Sequence, residues 1–160
     1  MQKRIDVRKG LDDTLVILRH KLKGGIVARD YDPDLLEIEA WGSELNQVWT
    51  NLIDNAADAM DGKGEISITA AKTDGGGVRV SICDNGPGIP PEVAAKIFEP
   101  FFTTKPPGIG SGLGLHISHN VVVRHGGRVD VESEPGRTCF IVTLPMTLPQ
   151  GVSGGTTPNR

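Results

Sequence analysis

The spacing of apolar residues predicts one long amphipathic helix in the first half of the chain. Its apolar face repeats at intervals typical of a helix and comprises Leu45, Val48, Trp49, Leu52, Ile53, Ala56, Ala59 and Met60. Ser43 is the expected N-cap. The glycine-containing segment 61–64 is expected to end the helix near Met60.

A polar stripe runs along the same helix, with its members three or four residues apart. It comprises Glu44, Gln47, Asn51, Asn55 and Asp58. One interpretation is a solvated surface. Asn is a poor helix former, however, and a surface helix more often carries Lys, Glu or Arg. The alternative is a site for an oxygen-rich ligand, such as a metal ion with phosphates.

Apolar and polar residues alternate over residues 66–70 and 78–82, and the glycine-rich segment 73–77 between them predicts a hairpin. Four further segments are expected to be strands and three to be helices. The strands are 5–7, 26–29 with 35–40, 128–132 and 138–144. The helices are 15–22, capped by Asp12 or Asp13, then 91–98 and 112–125. This order predicts an α+β fold: a largely antiparallel mixed sheet of about five strands with three main helices on one face.

Length and charge restrict the kind of protein. A chain of 160 residues fits one domain, expected over 1–148, with a Gly/Ser/Thr/Pro-rich and disordered tail at 149–160. The net charge of -3 gives no reason to expect nucleic acid or an acidic membrane as partner. Because no apolar run reaches the ~18 residues of a membrane span and no signal peptide is evident, we expect a cytoplasmic location.

The two cysteines, Cys83 and Cys139, both lie in apolar strand-like segments. A single disulfide is one alternative. Two reduced, buried thiols are the expected state, since free Cys is usually buried. No CxxC or neighbouring His suggests a metal site at either residue.

Two glycine-rich motifs follow predicted elements. The segment Asp84–Ile89 (DNGPGI) places a carboxylate just beyond a strand, where it can accept a hydrogen bond from an exocyclic amine. An ordinary turn is the alternative. The segment Gly108–Leu115 (GIGSGLGL) leads into a helix, whose free N–H groups suit phosphate. Neither a dinucleotide fingerprint nor a P-loop is present.

The order of these motifs resembles that of the catalytic and ATP-binding domain of two-component sensor histidine kinases, relatives of the gyrase B, Hsp90 and MutL ATPases. The resemblance extends over residues 3–147. The corresponding segments are an N box at 44–60, a first glycine box at 84–89, an F box at 97–102, a second glycine box at 110–115 and a closing portion at 125–145. The resemblance implies the two-layer α/β sandwich known as the Bergerat fold, with a flexible ATP lid at about 99–111.

The resemblance also implies roles for individual residues. Asn51 would ligate Mg²⁺ and serve the catalytic step, Asn55 would lie beside the phosphates, Asp84 would accept from the adenine amino group, and Lys105 would reach the terminal phosphate. Further contacts to ATP are implied for Asp58, Gly86, Gly88, Ile89, Phe98, Thr104, Gly110, Ser111, Gly112, Leu113, Gly114, Leu115 and Thr138. For Phe98 an ordinary core position, and for Lys105 a solvated one, are the alternatives.

The implied reaction transfers the γ-phosphoryl group of ATP to a histidine. None of His20, His116, His119 and His125 has the sequence context of the family's acceptor. We therefore expect the acceptor on a dimerisation hairpin outside this chain, a response regulator receiver domain as partner, and a monomeric isolated domain. Gln47, four residues before Asn51, is an amide and cannot act as a general base. This favours a kinase over the two alternatives that remain, a gyrase B or MutL type ATPase and an anti-sigma-factor type serine kinase.

Overall fold

The computed structural model of the chain describes residues 3–60, 63–100 and 114–149. Its elements in chain order are β1 (Lys3–Ile5), α1 (Val7–Ile17), α2 (Arg19–Leu22), β2 (Ile26–Tyr31), β3 (Ile38–Ala40), α3 (Gly42–Ala59), β4 (Glu65–Lys72), β5 (Val78–Asp84), α4 (Pro91–Ala94), α5 (Gly114–Arg124), β6 (Arg128–Glu134) and β7 (Arg137–Leu144). Residues 101–113 and 150–160 lie outside the described part, and so do the predicted lid and tail.

Five strands form the main sheet in the order β2-β4-β5-β7-β6. Strand β2 pairs with β4 in parallel, and the other three pairings are antiparallel. The predicted α+β fold with a mixed five-stranded sheet is therefore confirmed, as is the hairpin, which the structure places at β4 and β5. Strands β1 and β3 form a separate two-stranded sheet.

The core lies between the helices and one face of the main sheet. Alternate residues of β5, among them Val78, Val80 and Ile82, are fully or almost fully buried. Helix α3 contributes Leu45, Trp49 and other large apolar side chains to the same cluster. It contacts both α1 and α5, so α3 is the central element of the helical layer. None of the described helices is both long and apolar enough to cross a membrane.

The N-terminal segment differs from the prediction. Strand β1 ends at Ile5, and Asp6 rather than Asp12 or Asp13 caps the first helix by accepting a hydrogen bond from the backbone N–H of Arg8 at 3.0 Å. The guanidinium of Arg8 binds back to the same carboxylate, which holds the cap in place. The predicted strand at 5–7 and the helix start near residue 15 were therefore wrong.

The start of α3 also differs, because the N-cap is Trp41 and not Ser43. The backbone N–H of Trp41 donates to Nε2 of His125 at 3.1 Å, so a tertiary contact replaces the expected hydroxyl cap. At the other end of α3 Ala59 is exposed, although its spacing placed it on the apolar face.

The expectation of two reduced thiols was wrong, because Cys83 and Cys139 form a disulfide. The two residues stand directly opposite each other on β5 and β7, with Cα atoms 4.0 Å apart. Two cysteines in facing positions of neighbouring strands are close enough to be bridged. The pairing also withdraws the sequence argument that led from reduced cysteines to a reducing compartment.

Candidate functional site

Asn51 joins the polar stripe of α3 to the first turn of α5. Its Nδ2 donates to the backbone carbonyl of Gly114 and to Ser118 Oγ, each at 3.0 Å. Ser118 is buried, and its hydroxyl donates in turn to the Gly114 carbonyl at 2.9 Å. The N-terminus of α5, where the predicted glycine box enters the helix, is thus attached to the Asn-bearing face of α3. Both hydrogen bonds of Asn51 use its nitrogen, which leaves the side-chain oxygen as the ligand atom.

Asn55, one turn further along, is partly buried and makes no hydrogen bond to any residue that the structure describes. An amide held at a partly buried position without a partner is suited to an external ligand. Asp58 is instead engaged: Lys21 on α2 donates to Asp58 Oδ1 at 2.7 Å and also binds Asp54. A cation from a different helix therefore lies at the end of the stripe.

Asp84, the last residue of β5, is 5% exposed. Its Oδ1 accepts from the backbone N–H of Gly86 at 2.9 Å, the one donor to this carboxylate among the described residues. Burial raises the pKa of Asp84, and the Gly86 N–H opposes that rise. A buried carboxylate with one unused oxygen is costly to keep, which is the signature of a group retained for binding.

The two glycines after Asp84 permit close packing of the turn. A Cβ atom on Gly86 would lie 3.0 Å from both the Ala59 carbonyl oxygen and Asp84 Oδ1. Gly88 has a φ of +92° and would place a Cβ against the Glu134 carbonyl. The turn is therefore wedged between the end of α3 and the β6–β7 hairpin, as expected for a segment that must pass close to a ligand.

A hydrogen-bond chain connects this turn to Thr138. The backbone N–H of Ile89 donates to Ser133 Oγ at 2.7 Å, and Ser133 Oγ lies 2.8 Å from Thr138 Oγ1. Thr138 is buried and pairs directly with Asp84 in the sheet. Asp84, Ile89 and Thr138 are thereby held in one cluster at the end of β5 and β7.

Phe98 is partly buried and packs on α5 and the core. Its ring stacks on His119 with centroids 5.2 Å apart and meets Phe140 edge to face at 6.2 Å. Nδ1 of His116 lies 3.2 Å from the Phe98 carbonyl oxygen. The alternative of a packing role for Phe98 is the one these contacts support, and both histidines serve the same junction.

The structure brings together the predicted residues of α3, of the first glycine box and of the start of α5, including the partly buried Leu115. Six predicted residues lie outside the described residues: Thr104, Lys105, Gly110, Ser111, Gly112 and Leu113. The sequence interpretation missed Ser118, Ser133 and Lys21. The serines carry no motif, but Ser118 lies four residues after Gly114, the spacing of one helical turn.

Comparison with known proteins identifies the family. Residues 42–148 match the family described as histidine kinase-, DNA gyrase B-, and HSP90-like ATPase. The sensory histidine kinase/phosphatase NtrB of Rhodobacter capsulatus is 38% identical over 133 residues, which are 76% of this chain and 37% of that protein. The chain thus spans little more than a third of the length of this curated relative.

Solved structures agree with the sequence match. The nucleotide-free catalytic domain of histidine kinase ThkA superposes with a TM-score of 0.82 at 34% identity, covering 92% of this chain and 99% of that one. The structure of ThkA in complex with the response regulator protein TrrA gives 0.78 at 32% identity, covering 91% and 42% of the two chains. The chain therefore belongs to the histidine kinase-, DNA gyrase B-, and HSP90-like ATPase family and has the catalytic domain of a sensor histidine kinase.

Proposed function

We propose that this domain binds Mg²⁺-ATP between α3, the turn after β5 and the start of α5, and donates the γ-phosphoryl group to a histidine outside the described residues. The observation that carries the proposal is the meeting of three elements. Asn51 is hydrogen-bonded to the start of α5, and the glycine turn that Asp84 holds packs on the end of α3. An acceptor for a base and an N-terminal helix end for phosphates thus border the same stripe.

The adenine ring fits the Asp84 end of this site. The unused oxygen of the carboxylate accepts a hydrogen bond from an exocyclic amine, which adenine has at position 6 and guanine does not. The restriction on side chains at Gly86 and Gly88 leaves room for a flat ring beside the backbone. We therefore propose that Asp84 selects ATP over GTP.

The phosphates and Mg²⁺ fit the amide end. Mg²⁺ favours oxygen ligands and takes several of them from the nucleotide, so neutral amides suffice on the protein side. The side-chain oxygens of Asn51 and Asn55 are the candidate ligands. Because Asn51 is already fixed by α5 and Asn55 has no described partner, we assign the larger share of metal binding to Asn55 and the positioning of α5 to Asn51. When bound, Mg²⁺ neutralises charge on the transferred phosphoryl group.

The acceptor and the partner follow from the relatives. We propose that the acceptor histidine belongs to a dimerisation hairpin of the complete protein and that a response regulator receiver domain takes the phosphoryl group from it. The described histidines serve packing instead: His125 is buried in the core, and His116 and His119 contact Phe98. A cytoplasmic and monomeric isolated domain remains part of this proposal.

Titration with ATP and GTP, each with and without Mg²⁺, tests nucleotide binding. We expect binding of ATP in preference to GTP, and strengthening by Mg²⁺ that Asn55→Ala abolishes. Asn51→Ala should weaken binding under both conditions. Radiolabelled phosphotransfer to a separately supplied histidine hairpin then tests the reaction. Equal affinity for GTP, or transfer that persists in Asp84→Ala, would contradict the proposal.

An ATPase of the gyrase B or MutL type is the alternative activity. Gln47 is exposed on α3 and carries an amide, so it cannot activate water as a base. Rapid release of inorganic phosphate from ATP by this chain alone would favour hydrolysis over phosphotransfer.

A further inference from the structure

The disulfide lies one residue away from two buried polar side chains of the site. Cys83 precedes Asp84 on β5, and Cys139 follows Thr138 on β7. Asp84 and Thr138 face each other in the last pair of the ladder, directly beyond the bridged pair. Any change in the spacing of the two strands at the bridge is therefore transmitted to both residues.

The bridge holds the strands closely together. The Cα atoms of Cys83 and Cys139 are 4.0 Å apart, whereas an unlinked antiparallel pair of the non-hydrogen-bonded type has a separation of about 4.5 Å. Opening the bridge permits the strand ends to move apart. Since no further pair follows Asp84 and Thr138, nothing beyond them in this ladder restores the spacing.

Hydrogen bonds carry such a displacement into the glycine turn. Thr138 is linked through Ser133 Oγ to the backbone N–H of Ile89. Asp84 accepts from the N–H of Gly86. The two strand ends therefore hold both ends of the turn that we place against the adenine ring.

The bridge is accessible to a thiol. Cys139 is buried, but Cys83 is partly exposed on the sheet face opposite the helices. Nη2 of Arg137 lies 3.7 Å from Cys83 Sγ. A neighbouring guanidinium stabilises a thiolate, which is the form that leaves or attacks in thiol–disulfide exchange.

We propose that Cys83 and Cys139 are a redox modification site whose state sets nucleotide affinity. A dithiol reductant attacks Cys83 Sγ, the Cys83–Cys139 bond breaks, and the buried Cys139 leaves as a thiolate that takes up a proton. The second thiol of the reductant resolves the mixed disulfide and releases Cys83. Two electrons and two protons pass to the protein, and the reductant becomes a cyclic disulfide. Arg137 promotes the release of Cys83. The effect on affinity rests on the proposed function.

Binding of a fluorescent, non-hydrolysable ATP analogue tests the coupling. The oxidised full chain should bind about fivefold more tightly than the chain kept in dithiothreitol, a coupling of ordinary allosteric size. The double variant Cys83→Ser/Cys139→Ser should match the reduced chain in both buffers. Equal affinity of the oxidised and reduced chains would overturn the inference. Absence of binding in every form would instead contradict the proposed function, and this inference with it.

A second measurement is independent of nucleotide and of how the double variant folds. Titration of the unfolded, never-reduced protein with a thiol reagent should find no free thiol, and two after treatment with dithiothreitol. Arg137→Gln should slow the release of thiols by about threefold or more. Arg79→Gln, at another exposed arginine on the same face of the sheet, is the matched control. Two free thiols before treatment, or an equal rate in Arg137→Gln, would refute the site.

Discussion

The backbone N–H of Trp41 donates a hydrogen bond to Nε2 of the buried His125, at 3.1 Å. Because Nε2 accepts, Nδ1 carries the ring proton and donates to the Val121 carbonyl at 2.8 Å. The ring is therefore neutral in the folded protein, and it fixes the start of α3 to the end of α5. Edge-to-face packing on the Trp41 ring, with centroids 4.7 Å apart, completes the contact.

This contact predicts a loss of stability in mild acid. Burial lowers the pKa of His125 below its ordinary value of 6.5, against the carbonyl of Val121 and the charge of Glu44, while Arg124 adds to the lowering. The unfolded chain therefore binds a proton more readily than the folded one. The stabilisation is present above about pH 6.5 and is lost as the pH falls towards the folded pKa, by at most ~1.4 kcal/mol per pH unit. Urea unfolding between pH 5 and 8 measures it.

His125→Gln is the informative variant, since an amide can make both hydrogen bonds without titrating in this range. Its free energy of unfolding should depend less on pH than that of the parent. His20→Gln, at an exposed position, should keep the parental slope. An unchanged slope in His125→Gln would assign the acid sensitivity to other groups.

Asp84→Asn should stabilise the free domain while weakening ATP binding. Burial raises the pKa of Asp84 above 3.8. Its contribution to stability is therefore present below that value and is lost as the pH rises, so at neutral pH the ionised group is a cost. The amide avoids this cost and keeps an oxygen for the Gly86 N–H. We expect a gain of roughly 1 kcal/mol, or ~2–4 °C in Tm.

The same change removes half of the acceptor capacity that adenine needs. Loss of a hydrogen bond to a charged group corresponds to a weakening of ATP binding by roughly 10–100-fold. Calorimetric titration and thermal melts on one preparation measure both effects. The control Asp74→Asn, on the exposed hairpin turn, should change neither. A variant that lost both stability and affinity would indicate a purely structural carboxylate.

Local signals in the sequence were sufficient for much of the site. The stripe on α3 follows from spacing within one helix, and Asp84 with its glycines follows from a strand end and a turn. These features depend on neighbours within a few residues, so the chain order reports them directly.

Features that depend on register could not be predicted in the same way. The pairing of Cys83 with Cys139 requires that β5 and β7 be neighbours and aligned to the residue, across 56 positions of sequence. Ser133 gains its role only because the β6–β7 hairpin lies beside Ile89. Asp6 was overlooked as a cap because Asp12 and Asp13 offered the same residue type, and the supporting contacts of Arg8 with Asp6 are tertiary geometry that spacing does not encode.

Ser118→Ala should weaken nucleotide binding by loosening α5 from α3. The hydroxyl accepts from Asn51 Nδ2 and donates to Gly114. Its loss leaves Asn51 with one of two acceptors, at a cost of about 0.5–1.5 kcal/mol, which is up to roughly tenfold in affinity for Mg²⁺-ATP. Thr50→Ala removes a similar hydroxyl, bonded to the Asn46 carbonyl one turn back on α3, and should leave affinity unchanged.

A double-mutant cycle with Asn51→Ala separates the positioning effect from a general loss of stability. The two changes should be less than additive in binding energy, because both act through one contact. Strict additivity would show that Ser118 affects the site by another route.

Lys21→Met should destabilise the fold and weaken ATP binding together. Burial alone would lower the pKa of Lys21, but the hydrogen bonds from Asp54 and Asp58 outweigh it and raise the pKa. Without the ammonium, two carboxylates one turn apart remain on α3 beside the proposed phosphate position. We expect a loss of about 1 kcal/mol in unfolding free energy, since all three side chains are about one-third exposed.

The reduction in ATP affinity should be electrostatic, and three observations identify it as such. It should diminish as salt is raised from low to physiological ionic strength. Adding Asp58→Asn to Lys21→Met should restore part of the affinity by removing one uncompensated charge. Lys9→Met, which breaks the exposed pair with Asp13 on α1, should leave ATP binding unchanged. An affinity that is insensitive to both salt and Asp58→Asn would mean that Lys21 acts only by packing α2 against α3.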